Sequence, residues 1–414
     1  MKSQNPTTAT PLRIVAFGAG NRMNKYLHYI LDNPSSARLV AVVDPNPLRR
    51  NKMADLADVP LHCRFATGTD FFNSSIDADA AFICSPEEKH YPHAMHAISR
   101  GLHVLLEKPV AQSLRQCIEI AEAGRAKGVR VGVCHVLRHH PYYEQMHRLV
   151  SSGSLGQVIS ISHRTCVGID RATHSFVRGT LSRQRITNPM LITKCCHDID
   201  FLLWLAGEKA EKISSMGGRR WFRSENAPIG SSMRCIDCSV ESSCPYSAVD
   251  LYRNRRKWID NFDIPAGMTI DTVIDHELHN GDYGRCVFHC DNDVVDRQTL
   301  SLETASGIVI NLSMDLFTPG DLRETRICMT EGEICGNELS ITVNRLRPRT
   351  QETFDFSSTL HAPLHAGADI KIVAQFIDAI NHPDLPLLTD ISEAIESHRI
   401  CFEAESHINS PSDT

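Results

Sequence analysis

The chain has 414 residues, 42% of them hydrophobic and 22% charged, with a formal net charge of -6. These values are ordinary for a folded soluble protein of two or three domains, and the acidic balance argues against nucleic acid or an anionic membrane as partner. No apolar run approaches the roughly 18 residues of a membrane-spanning helix, and the polar start MKSQNPTTATP has no apolar secretory core, so it reads as a tail on a cytoplasmic protein.

In chain order, short continuous apolar runs alternate with helical stretches. The runs are Arg13–Phe17, Leu39–Val43, Ala80–Cys84, His103–Leu106 and Val129–Cys134. Uninterrupted β-rich runs fit strands buried on both faces. Helical patterns fall near Lys25–Asp32, Pro47–Ala57, Tyr91–Arg100 and Ser113–Lys127. The alternation predicts an α/β fold with a doubly wound parallel sheet. After Cys134 come a helix near Tyr142–Ser151, a strand over Val158–His163, a basic irregular stretch and a helix near Pro189–Ala206. Gly217–Asp263 is polar, aromatic and Cys-containing, and reads as an inserted loop. Strands then follow at Val294–Thr304, Ile308–Phe317, Thr325–Thr330 and Thr353–Phe356, with turns at Ser306-Gly307 and Glu331-Gly332. They predict an antiparallel or mixed sheet. Helices near Asp369–Asn381 and Ile391–Ile408 end the chain. The expected division is 1–134 for a nucleotide-binding domain and 135–414 for a substrate and oligomerisation domain, with 217–263 inserted in the latter.

Gly18-Ala19-Gly20 follows the first strand and opens a helix. The first glycine permits the turn, and the second lets a pyrophosphate approach backbone N–H groups at the helix N-terminus. Met23 stands where the third glycine of that motif would be. Asp44 ends the second strand, placed to accept from a ribose diol. Its charge would repel a 2′-phosphate and so favours NAD, while nearby Arg49 and Arg50 keep NADP as the alternative. Asp44 as a plain turn residue is the competing reading.

Ser85-Pro86, His90 and the run Gly101–Pro109 with its Glu107-Lys108-Pro109 ending resemble the Gfo/Idh/MocA oxidoreductases. So does His197-Asp198-Ile199-Asp200 followed by Trp204-Leu205, and Arg138-His139-His140-Pro141 resembles the family's link between domains. The resemblance covers nearly the whole chain except the insert. It implies a Rossmann domain, an α+β domain with an open, mostly antiparallel sheet, and association through that sheet. It further implies hydride transfer at a carbinol carbon of a sugar, polyol or derivative. Ser85, Pro86, His90 and Glu107 would lie at the cofactor, Pro109 would follow a cis bond, and Lys108 would donate to the substrate oxygen. His197 would be the acid/base group, facing one cleft with Lys108. The family's aspartate four residues earlier is replaced by Thr193, and Lys194 lies one turn from His197, able to assist catalysis or to pair with Asp198. A glycoside-cleaving enzyme that uses NAD transiently and a non-enzymatic cofactor-binding regulator share this fold and remain as alternatives.

Arg164, Arg171, Arg178, Arg183 and Arg185 could clamp a substrate anion, with Arg178 the candidate, or could be a solvated basic stretch. Asn292, between Asp291 and Asp293, could bond substrate hydroxyls or serve a turn. Fifteen cysteines without a secretory signal read as reduced thiols. Among them Cys235, Cys238 and Cys244 have spacing suited to zinc, with a fourth ligand open among Cys286, Cys290 and a histidine. The bland reading is a packed loop of thiols.

Overall fold

The computed structural model describes residues 10–360 and 362–409. The tail expected at the N-terminus lies, through residue 9, outside the described residues. The chain forms two compact units, one running to His140 and taking back Ala362–Ile395, the other comprising Pro141–His361 and the residues from Glu396.

The first unit is built on six parallel strands: β1 (Leu12–Phe17), β2 (Ala37–Val43), β3 (Arg64–Phe65), β4 (Ala80–Ile83), β5 (His103–Leu106) and β6 (Val131–Val133). Their order is β3-β2-β1-β4-β5-β6. Every residue of β4 is buried, which is why the strand is an unbroken apolar run rather than an alternating one. Helix Asn21–Asp32 buries Met23, Tyr26, Leu27 and Ile30, the spacing of a single apolar stripe. Met23 thus serves the core where the nucleotide motif usually has glycine. Helix Leu114–Lys127 starts at Ser113, whose side chain accepts from Gln116 N, and stops at left-handed Gly128, a start and stop both visible in the sequence. The crossing expected after residue 134 falls after His140, and the return of Ala362–Ile395 to the first unit was not expected. Helix Ala368–Asn381 rejoins this unit, setting Phe376 edge-on to Phe82 at 5.9 Å, and Asp390 bridges Gly132.

The second unit carries an eight-stranded sheet of β7 (Val158–Gly168), β8 (Ala210–Gly218), β9 (Arg297–Thr304), β10 (Val309–Thr318), β11 (Leu322–Met329), β12 (Gly332–Gly336), β13 (Ser340–Arg345) and β14 (Thr350–Asp355). The order is β14-β13-β12-β11-β7-β10-β9-β8. All pairs are antiparallel except β7 with β10. Burial alternates along β9 and β10, so one face feeds the core through Leu300, Leu302, Ile310 and Leu312 and the other is open. The open face holds a groove of about 710 Å3 lined by Ser162, Arg164, Asn311, Ser313, Glu324 and Arg326 among others. The sequence reading missed β8, β12 and β13 and helix Ile270–His279.

Gly217–Asp263 is not a free-standing loop. Gly217 and Gly218 finish β8. The remainder folds through short turns onto helix Ile270–His279, around Cys235, Ala248, Leu251, Tyr252, Ile274 and Leu278. Among the described residues no helix is long and apolar enough to cross a membrane.

Candidate active site

In the first unit, the candidate residues stand at the carboxyl ends of adjacent parallel strands. Gly18 follows β1, Asp44 follows β2, Ser85 lies just past β4 and Glu107-Lys108 follow β5. The strand order reverses between β1 and β4, the switch point at which doubly wound sheets bind ligands. Gly18 has φ +89° and a Cβ there would lie 2.6 Å from the Cys84 carbonyl oxygen, so only glycine fits. Gly20 begins helix Asn21–Asp32 with no capping side chain, and a Cβ on it would meet nothing within 4 Å. An uncapped N-terminus with open space before it suits a phosphate, so the residues present fit a dinucleotide.

Asp44 is buried, and its carboxylate accepts from Ala19 N at 2.7 Å and Asn46 N at 2.8 Å. It therefore fixes the glycine turn as well as offering its remaining lone pairs. Arg50 donates to the Asp44 carbonyl at 2.6 Å, while Arg49 is exposed. Ser85 Oγ lies 3.1 Å from His93 Nδ1, and Pro86 leads into the short turn Glu87–Lys89. His90 is buried with Nδ1 2.7 Å from the Pro109 carbonyl and Nε2 2.9 Å from that of Ser85. With both ring nitrogens turned to backbone, His90 positions the two loops rather than touching a cofactor, which corrects the expected role.

Glu107 anchors the segment that carries Lys108. It accepts from Arg22 Nε and Tyr26 OH, each at 2.5 Å, and from Lys108 N at 3.0 Å. Burial opposes ionisation of Glu107, but Arg22, Tyr26 and Lys108 outweigh it and hold its carboxyl below the usual range. Arg22 also donates to Asp369 at 2.8 Å, and Asp369 lies 2.7 Å from His365 Nδ1. The sequence reading missed Arg22 and Asp369. A cation at Arg22, one turn before buried Tyr26, was the only local sign. The Lys108-Pro109 peptide is cis, as the resemblance implies.

In the second unit, helix Met190–Ala206 presents Thr193, Lys194, His197 and Asp198. Asp198 is buried and takes His163 Nε2 at 3.3 Å together with Arg323 Nε. Arg323 extends Nη2 to His197 Nε2 at 3.0 Å, and its backbone N–H donates to Glu338 at 2.8 Å. Glu338 also accepts from Tyr143 OH at 2.6 Å. Arginine only donates, so in this arrangement His197 Nε2 is an acceptor and the ring proton sits on Nδ1. Burial opposes ionisation of Asp198, yet Arg323 foremost, with His163 hydrogen-bonded to it, holds its carboxyl well below the usual range. Among the described residues no ion pair joins Lys194 to Asp198, a pairing that is one of the two expectations; the Asp198 Oδ1 is taken by His163 and Arg323. Lys194 is buried, and burial reinforced by Arg171 and Arg323 lowers its ammonium to about 7. Arg323, 125 residues from Asp198, left no local signal in the sequence.

The basic stretch is mostly spent on structure. Arg164 pairs with Asp315 at 2.8 Å, Arg171 with Asp321 at 2.9 Å, Arg183 with Asp291, and Arg185 with Asp293 at 3.8 Å. Arg178 is wholly buried, donating to the carbonyls of Arg285 and Tyr246, which corrects its expected role at the substrate. Asn292 is likewise buried. Its carbonyl accepts from Arg219, and its Oδ1 has no partner among the described residues. Cys235, Cys238 and Cys244 line one small pocket with Cys286. Among the described residues no three His, Cys, Asp or Glu side chains are arranged to hold a metal ion. All 15 cysteines are free thiols.

Residues 12–135 match the model of the GFO_IDH_MocA oxidoreductase family, NAD-binding Rossmann fold. The Bacillus subtilis protein YteT is 20% identical over 311 residues, covering 72% of this chain and 70% of its own length. Inositol 2-dehydrogenase 4 of Saccharopolyspora erythraea is 29% identical over 221 residues, 53% of this chain. The alignment spans 60% of that dehydrogenase's length. Among solved structures, an oxidoreductase from Agrobacterium radiobacter in complex with NAD+, L-tartaric acid and magnesium superposes with a TM-score of 0.70. It is 13% identical, and the match covers 97% of both chains. At that identity the likeness is one of fold.

Proposed function

Because residues 12–135 match the GFO_IDH_MocA oxidoreductase family, NAD-binding Rossmann fold, we propose that the chain is an oxidoreductase of that family and moves a hydride between nicotinamide and a carbinol carbon of a sugar, polyol or related compound. The observation that carries the reading is the row of Gly18, Asp44, Ser85 and Lys108 at the ends of neighbouring parallel strands. Gly18 and Gly20 admit the pyrophosphate to the helix N-terminus, and Asp44 receives the ribose diol, which favours NAD over NADP. When bound, NAD supplies the nicotinamide carbon that accepts or returns the hydride. Lys108, held by the clamp on Glu107, donates to the substrate oxygen and stabilises its developing charge.

The proton of the substrate hydroxyl passes to Lys194. Its lowered ammonium, about 7, is matched to neutral solution, where an ordinary lysine would be fully charged. His197, with Nε2 taken by Arg323, orients the substrate as an Nδ1–H donor. A cytoplasmic location suits its 15 free thiols, and self-association would use the open face of the eight-stranded sheet.

The test is a panel of polyols, sugars and uronic acids assayed for absorbance change with NAD and with NADP. Net NADH formation with at least one carbinol substrate, and tighter calorimetric binding of NAD(H) than of NADP(H), are expected. Absence of turnover across the panel in both directions would remove the reading.

A further inference from the structure

Four cysteines from three segments of the second unit line one pocket. Cys235 and Cys238 bracket a single 3-10 turn, Cys238 N donating to the Cys235 carbonyl at 3.2 Å. Cys244 closes the next short turn, Glu241–Ser243. Cys286 is brought alongside by an antiparallel bridge between Arg234 and Arg285, and its N–H donates to the Met233 carbonyl at 2.9 Å. The void between these residues is about 10 Å3, near the space one water or one ion requires.

A second observation concerns charge. Arg178 is wholly buried beside this pocket, with Nη2 3.6 Å from Cys235 Sγ. Its Nη1 has no hydrogen-bond partner, and it makes no ion pair among the described residues. An isolated buried guanidinium is expensive and calls for a nearby negative group. Protein carbonyls satisfy part of its hydrogen bonding but supply no charge.

We propose that Cys235, Cys238, Cys244 and Cys286 bind one zinc-class ion as thiolates, with Arg178 as an outer cation beside the centre. Four thiolates on a divalent ion carry two net negative charges, one of which the Arg178 guanidinium offsets. The thiols do not yet converge on a common point. A rotamer change at a cysteine moves its sulfur by roughly 3 Å without moving the backbone, the movement that convergence on one ion would use, and binding releases the thiol protons. The site explains how residues 219–296, built largely of short turns around a small core, hold one shape. It is structural and independent of the proposed hydride transfer.

The test uses the full chain, purified without a histidine tag or chelator. Elemental analysis is expected to find one zinc per chain, and a mercurial that caps thiols should release it. Stripping the ion should lower the melting temperature, and Zn2+ alone should restore it. Cys238→Ser and Cys286→Ser should each lose the metal. Arg178→Met should weaken its retention roughly 10- to 100-fold against a competing chelator. Should either cysteine variant fail to fold, stripping and reloading of the unmodified chain decides. Metal-free protein whose melting temperature Zn2+ does not raise would overturn the proposal, as would iron with acid-labile sulfide in place of zinc.

Discussion

Two lysines divide the proposed chemistry, and their surroundings make different demands. Lys108 is half-buried on a segment whose neighbour Glu107 is clamped by Arg22 and Tyr26. Lys108→Ala should lower kcat/KM by roughly 10²-fold while leaving NAD affinity within a few-fold of the original, read by calorimetry. Unchanged turnover would take Lys108 out of the mechanism. Lys194 is buried, and its ammonium is lowered to about 7. Between that value and its ordinary 10.5 the unfolded chain binds more protons than the folded one. The burden that Lys194 places on stability is therefore complete below about pH 7 and shrinks as pH rises toward the ordinary value. Lys194→Met should raise the melting temperature at pH 6 to 7 and flatten its rise above pH 7. The same variant should lose roughly 10²-fold in turnover together with the limb of the pH–rate profile near 7. A variant that keeps that limb would return the proton to another group.

At the scale of elements, the segment after β5 is tied to helix Ala368–Asn381 by the chain of Glu107, Arg22, Asp369 and His365. Burial opposes ionisation of Asp369, but His365 and Arg22 overcome it and bring its carboxyl down to about 2, against an ordinary 3.8. A carboxyl lowered in the folded state adds stability that is present above about pH 4 and lost as pH falls toward 2. The size of the shift corresponds to roughly 2 kcal/mol. Asp369→Asn should reduce denaturant stability by about that amount at pH 7 and have little effect near pH 2. Equal loss at both pH values would mean that the side chain acts by packing alone. Helix Met190–Ala206 shows the same dependence on distant elements. Its His197 is set by Arg323 of β11, which is itself held by Glu338 beyond β12.

For the whole molecule, the eight-stranded sheet leaves one face open, with a groove lined by Ser162, Arg164, Asn311, Ser313, Glu324 and Arg326 among others. A broad, regular, solvent-facing sheet can bury against a second copy of itself in a two-fold arrangement. Sedimentation velocity is expected to find a dimer or higher oligomer. The pair Thr299→Arg and Asn311→Arg adds like charge to that face and should shift the protein toward monomer with its melting transition retained. A wild-type monomer at micromolar concentration would remove the sheet from consideration as an interface.

The sequence by itself determined the parallel sheet, because strands buried on both faces must be continuous apolar runs and the turns after them need particular residues. Gly18, with its positive φ and the Cys84 carbonyl against it, is legible for that reason, as is the Ser113-to-Gly128 bracket of one helix. The family resemblance likewise singled out Glu107, Lys108 and His197 as candidates. The second sheet was legible only where alternation was strong. β12 and β13 are short, and residue pattern alone did not separate them from turns. Tertiary structure alone decided the partners. Arg323 reaches His197 across 126 positions and Arg22 reaches Asp369 across 347, separations over which hydrophobic periodicity carries no information. It also decided that Arg178 is buried beside thiols rather than turned to a substrate. A charge in a sequence reveals its type, whereas its burial depends on what the rest of the chain brings against it.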